Sequence, residues 1–175
     1  LDAMCFITDE DSQESLPLTD FFVAPRVTVL EDRLLVGLAL PGAAAGRRCL
    51  ARKLTRSAED ISLVQVAVGL DVADGVLDNV RIALGAVAPV PLRSTPAEDQ
   101  LVGKKLDDIG TDLVEDAAVI AAGDSEPISD HRASAEYRVD MVRVLTRRLL
   151  TEAMTAEGWK NGEVASGRSG RSIWN

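Results

Sequence analysis

Two runs of alternating aliphatic residues on either side of an Asp-Gly turn constrain this chain more than any other feature. Val64, Val66, Val68, Leu70 and Val72 recur at every second position, and Val76, Val80, Ile82 and Leu84 share a face beyond Ala73-Asp74-Gly75. Such alternation marks half-buried strands, and two of them around a glycine-bearing turn make an antiparallel hairpin. Opposed residues point to one side of the sheet, so a one-residue slip would turn one set to water. A two-residue loop sets Val68 opposite Arg81. The reading therefore expects a three-residue loop with Gly75 left-handed, pairing Val72 with Val76, Val68 with Val80, Val66 with Ile82 and Val64 with Leu84. The other face carries Ser62, Gln65, Asp71, Asn79 and Arg81, which suits water or a partner.

What flanks the hairpin differs on its two sides. Upstream, Leu34, Val36, Leu38 and Leu40 alternate up to Pro41-Gly42 and predict a strand. The following Gly42–Gly46 stretch reads as a connector, without the spacing or trailing lysine of a phosphate cradle. The first 33 residues read as a short strand over Leu1 to Thr8, an acidic loop, and an extended stretch broken by Pro17 and Pro25. A two-strand remnant of this kind is marginal alone, so it looks like the end of something larger. Downstream, Thr95-Pro96-Ala97-Glu98 spells a capping box with proline at the first helical position, and Gly103 stops that short helix. Thr111 is expected to cap a second helix over Asp112 to Ala122, with Leu113, Ala117, Ile120 and Ala121 inward. A third runs from about Ala133 to Ala156, with Ala135, Val139, Val142, Leu149 and Ala153 inward and Arg143, Arg147 and Arg148 wet. Strands followed by helices, with no β-α-β alternation, predict an α+β fold: a small antiparallel sheet of three to four strands covered on one face by three helices.

Composition limits what such a domain can do. The 175 residues suit one domain or slightly more. With 19 basic against 28 acidic side chains, a net charge of −9 disfavours nucleic acid and anionic membranes as partners. No apolar run is long enough to span a bilayer. Cys5 and Cys49 show no metal-ligand spacing, and a reducing cytoplasm is the expected compartment. The start at Leu1 rather than methionine carries the expectation of further polypeptide upstream.

The residues present few catalytic options. His131, the one histidine, lies in Pro127-Ile128-Ser129-Asp130-His131-Arg132, a loop entering a helix without a nucleophile elbow. It is read as a surface side chain, with Asp130 and Arg132 pairing with each other or with helix-end amides. No catalytic residue and no metal ligand is assigned. Arg47, Arg48, Arg52, Lys53 and Arg56 form the one basic cluster, open to an anionic ligand, to an acidic partner or to solvent.

A resemblance extends this reading. Leu34-Leu35-Val36, Arg52-Lys53-Leu54-Thr55-Arg56, Ile82-Ala83-Leu84-Gly85-Ala86-Val87-Ala88-Pro89 and, most specifically, Pro127-Ile128-Ser129-Asp130-His131-Arg132-Ala133-Ser134-Ala135-Glu136-Tyr137-Arg138 resemble the C-terminal domain of the flavoprotein subunit of molybdenum hydroxylases. That family includes carbon monoxide dehydrogenase and xanthine dehydrogenase. The resemblance divides the chain into 1–33, the tail end of an FAD-binding domain, and 34–157, the α+β domain; the Gly/Ser-rich composition of 158–175 reads as a flexible tail that Trp159 and Trp174 could anchor.

It implies an oxidoreductase subunit, inactive alone, that closes an FAD site and docks an iron–sulfur subunit, so that electrons pass from iron–sulfur clusters to FAD. FAD would be shared with an upstream domain, while the molybdenum cofactor and the clusters stay in partner subunits. By the same resemblance Leu34 and Lys53 contact the flavin, the first lying on the ring and the second stabilising charge or hydrogen-bonding a carbonyl. The alternative is a non-enzymatic interaction module that keeps the fold without flavin. The glycine-rich loops that make most flavin contacts in the family are not in this sequence.

Overall fold

The computed structural model describes residues 2–57 and 59–155, which form two larger antiparallel sheets, a two-stranded ribbon and a helical layer. The first sheet is built from β1 (Met4–Thr8), β2 (Gln13–Pro17) and, beyond a small ribbon of β3 (Phe22–Ala24) and β4 (Val27–Thr28), β5 (Leu34–Ala39). Its order is β2-β1-β5. Asp9 closes the first hairpin by accepting the amides of Asp11 and Ser12 at 2.9 and 2.7 Å, the local bond that makes aspartate a turn residue. Cys5, Ile7 and Phe21 are buried as a small core, with Leu16, Leu18, Val29 and Leu30 packed around them. The strand at Leu34–Ala39, expected to open the second unit, is hydrogen-bonded into this first sheet instead. Alternation marked it as a strand but says nothing of which neighbour it pairs with.

The second sheet holds β6 (Arg48–Leu54), β7 (Val64–Ala73), β8 (Val76–Gly85) and β9 (Leu92–Arg93) in chain order. Three helices follow: α1 (Thr95–Asp99), α2 (Thr111–Gly123) and α3 (Ala135–Thr155). They cover one face of the sheet, as the α+β reading expects. Val64, Val66, Val68 and Leu70 of β7, and Leu77, Val80, Ile82 and Leu84 of β8, are buried against Ala97, Leu101, Ala117, Val142, Leu149 and Leu150. Each such aliphatic side chain contributes roughly 1.5–3 kcal/mol on leaving water. Small alanines on α2 let it lie close to its neighbours. No helix among the described residues is long and apolar enough to cross a membrane.

The hairpin register departs from expectation. The turn has two residues, Asp74 and Gly75, both left-handed at φ +50° and +76°, and Ala73 pairs with Val76. Two consecutive left-handed residues match the strand twist, which is why Asp-Gly favours this turn. Parity is restored one step further on, by a register shift between Asp71 and Val72. The bulge leaves Val72 opposite Leu77 but Leu70 opposite Val80, Val68 opposite Ile82 and Val66 opposite Leu84. The aliphatic faces meet as expected; the extra residue sits in β8 rather than in the turn.

Helix starts differ in detail too. Ser94, not Thr95, precedes α1, and no side-chain cap forms there: the Ser94 hydroxyl donates to Asp124 at 2.6 Å, and Glu98 is drawn off to other partners. Gly110 precedes α2 with Thr111 already inside it. On α2, Val114, Ala118 and Ala122 join Ala117 and Ala121 among the buried residues, while Leu113 and Ile120 are half-buried. On α3, Val142, Leu149 and Ala153 are buried as expected, together with Arg138, Thr146 and Leu150, while Ala135 and Val139 are half-buried. Arg143, Arg147 and Arg148 are exposed. The expected tail over 158–175, with Trp159 and Trp174, and the helix end at Ala156 lie outside the described residues.

Candidate functional site

The helix-free face of the second sheet is built from rows of opposed residues. Lys53, Gln65 and Gly85 form one row, Ala51, Ala67 and Ala83 the next, and Cys49, Gly69 and Arg81 a third. Opposed residues share a face, so the three alanines make a low floor between taller side chains. The result is a trough of ≈ 450 Å³ bordered by Lys53, Gln65 and Pro91. Side chains on this face cross the glycines. A Cβ on Gly85 would lie 2.9 Å from Gln65 Oε1, and one on Gly69 would lie 3.0 Å from Arg47 Cδ. Gln65 Nε2 donates to Ser62 Oγ at 2.8 Å, which orients its amide.

At the far end three guanidinium groups converge on one carboxylate. Arg47, Arg81 and Arg93 all pair with Asp2, at 3.2, 3.1 and 3.2 Å. Arg47 also pairs with Asp71 at 2.9 Å, and Arg93 with buried Glu98. Partial burial pushes the Asp2 carboxyl up, but hydrogen bonds from Arg81 and Arg47 outweigh it and hold the group below its ordinary value. Asp2 precedes β1, so this cluster ties the start of the first sheet to the open face of the second. Arg81 was legible as an open-face residue from the alternation. Nothing in the sequence links Asp2 to it.

The basic cluster read from the sequence is not one site. Alternation along β6 sends its members to opposite faces, and Arg52 reaches Glu152 of α3 at 3.1 Å while Arg56 binds Asp60 at 2.8 Å. Lys53 stays exposed on the trough side and forms no ion pair among the described residues. Leu34 opens β5, opposite Thr8, and is 68% exposed. The two expected flavin contacts thus lie in different sheets, and Leu34 does not line the trough.

The segment Pro127–Arg132 organises the start of α3. Asp130 accepts from Arg132 Nε at 2.9 Å, from the Arg132 amide at 2.9 Å and from Arg138 at 2.8 Å, and Arg138, itself buried, donates to the Leu63 carbonyl at 2.7 Å. These hydrogen bonds, that from the Arg132 side chain foremost, hold the Asp130 carboxyl far below the usual carboxylate range against its desolvation. Ser129 Oγ accepts the Ala135 amide at 2.8 Å. His131 is exposed. The motif is a structural clasp joining α3 to the loop before β7, as the pairing expected for Asp130 and Arg132 suggested.

The second sheet thus has one face under helices and the other an open trough. The chain belongs to the family of carbon monoxide dehydrogenase flavoprotein C-terminal domains, whose model matches residues 50–153. It is 31% identical over 152 residues to the glyceraldehyde dehydrogenase medium chain of Sulfolobus acidocaldarius, covering 87% of this chain and 53% of that protein. It is 27% identical over 153 residues to the xanthine dehydrogenase FAD-binding subunit of an Escherichia coli strain, covering 83% of this chain and 50% of that one. A solved carbon monoxide dehydrogenase from Hydrogenophaga pseudoflava superposes with a TM-score of 0.80 at 31% identity, over 87% of this chain and 52% of that one. The chain therefore spans about half the length of the curated relatives it matches.

Proposed function

We propose that this chain is the C-terminal half of the flavin subunit of a molybdenum hydroxylase-type oxidoreductase, and that it closes an FAD site whose greater part lies in an upstream FAD-binding domain. The observation that carries the reading is the open trough with the exposed Lys53 ammonium at its rim, on a fold shared with a solved carbon monoxide dehydrogenase at a TM-score of 0.80. The residues present fit one wall of a flavin pocket. Ala51, Ala67 and Ala83 leave room for a flat ring system, and Lys53 has no acidic partner among the described residues. They do not fit a complete pocket, since Gly42–Gly46 winds into a 3-10 turn rather than a phosphate cradle.

FAD, when bound, would take electrons from iron–sulfur clusters and pass them to the final acceptor. Lys53 would donate to a flavin carbonyl or balance negative charge on the reduced ring, and Leu34 would lie against the ring from the first sheet. The division of the chain is proposed to fall between β5 and β6, with the first sheet belonging to the FAD-binding domain, 158–175 following as a tail, and the whole working in the cytoplasm. The partners are an iron–sulfur subunit and a molybdenum-cofactor subunit. Exposed Ile61 and Ile128, beside a groove near Pro25, Ala86 and Arg132, offer an apolar surface for the iron–sulfur subunit.

Gel filtration of the complete subunit mixed with its iron–sulfur subunit tests the assembly. Co-elution with FAD absorbance is expected for the wild type and loss of co-elution for the Ile61→Asp, Ile128→Asp double variant. A complete subunit that elutes alone, without flavin, contradicts the reading.

A further inference from the structure

Strand β5 sits where the first sheet stops, and its neighbours make that position anomalous. Along β1, Cys5 and Ile7 are 0% and 1% exposed. Opposite them, through the register shift near Phe6, stand Leu38 and Leu35 of β5, which are 58% and 41% exposed. Paired residues share a face, so the core that Phe21 seals over β1 ends abruptly one strand early. Leu34, Gly37 and Ala39 lie on the other face, opposite Thr8, Phe6 and Met4.

The free edge of β5 is equally unusual. Native edge strands are guarded by charge, proline or shortness, because an unpaired row of amides and carbonyls recruits other strands. Each other edge of the two larger sheets has such a guard. β2 carries Glu14 and Pro17, β6 carries Arg48, Arg52 and Lys53, and β9 has two residues. β5, with the sequence Leu-Leu-Val-Gly-Leu-Ala, has none. A strand apolar on both faces is the pattern of one buried on both sides.

We propose that β5 is an interior strand of the complete subunit, its free edge paired with a strand of the upstream half and its Leu35 and Leu38 covered by apolar side chains from that half. The occupant follows from length: relatives that this chain matches over 83–87% of itself run to about twice its extent, leaving a half not included here, and the matched family is a C-terminal domain. The inference rests on the reading that this chain works joined to an upstream FAD-binding domain. It leaves Leu34 on the opposite face, free to meet a ring.

The test is amide hydrogen exchange over residues 34–40, in the 175-residue chain and in the complete subunit, the latter with FAD and after its removal. The expected result is exchange at least ~100-fold slower in the complete subunit, whether or not FAD is bound, and loss of that protection in Leu38→Asp. Fast exchange in the complete subunit with FAD bound overturns the proposal while leaving the flavin reading intact. Protection without any FAD binding supports the proposal and removes the flavin reading. Concentration-dependent protection in the 175-residue chain, abolished by Leu38→Asp and unchanged in the complete subunit, would make the occupant a second copy and overturn the proposal.

Discussion

Glu98 Oε1 accepts the Ile82 amide at 2.9 Å, a bond from the first helix into a strand of the main sheet made by a side chain buried to 2% exposure. The same carboxylate binds Arg93, so α1, β8 and β9 are fastened at one point. Removing one partner of such a buried group leaves the other uncompensated, at a cost of about 3 kcal/mol. Glu98→Ala should lose that much in urea denaturation, and Glu98→Gln less, because its amide oxygen can still accept from Ile82. Equal, small losses in both would show that the bond is not made in solution.

The hairpin bulge makes a second prediction. Leu77 is buried and Val76 only half-buried, the reverse of what a three-residue turn would impose. Leu77→Ala should cost about 3 kcal/mol, against under about 1 kcal/mol for Val76→Ala. Gly75→Ala should cost about 1 kcal/mol for its left-handed backbone. Equilibrium denaturation of the three variants gives the order directly.

Acid should act through Asp130 and Asp2. Both carboxyls are held below their ordinary value in the folded chain, so folding favours their ionised forms. Their contribution is complete above the unfolded value near ~4 and is lost as pH falls below that toward the folded values. Stability measured from pH 7 to pH 3 should fall through the lower end of that range. Asp130→Asn should be less stable at pH 7 and show a shallower decline. An unchanged slope would remove Asp130 from the account.

Lys53 is predicted to matter to the flavin and not to the fold. In the complete subunit, Lys53→Met should weaken FAD affinity by roughly tenfold, as losing a charge-assisted hydrogen bond does, or lower the flavin potential. Thermal stability without FAD should stay unchanged, since Lys53 is exposed and forms no ion pair among the described residues. Unaltered titration and potential would take Lys53 out of the site.

Much of the second sheet was legible because Val64–Leu84 alternates at period two and the helical segments at 3.6. The alternation fixed which faces meet but not where the odd residue goes. A turn residue and a bulge one step away restore parity equally well, and the backbone preference of Asp74-Gly75 decided between them. Glu98 misled for a related reason: a capping glutamate and a buried ion-pair partner look identical until Arg93 and the Ile82 amide are brought beside it. The site was less legible. Lys53 stands at the rim of the trough, but the convergence of Arg47, Arg81 and Arg93 on Asp2 spans 91 residues of sequence, and no local pattern encodes contacts of that range. β5 was recognised as a strand, but its pairing with β1 was not legible, because pairing partners are a property of the whole chain.

On the function proposed, this chain supplies one wall of a flavin site and needs the rest from upstream. Titration of FAD into the purified 175-residue chain and into the complete subunit, followed by flavin fluorescence, tests it most directly. The claim predicts no saturable binding to the chain alone and one FAD bound per complete subunit. Stoichiometric, tight binding by the chain alone would contradict it.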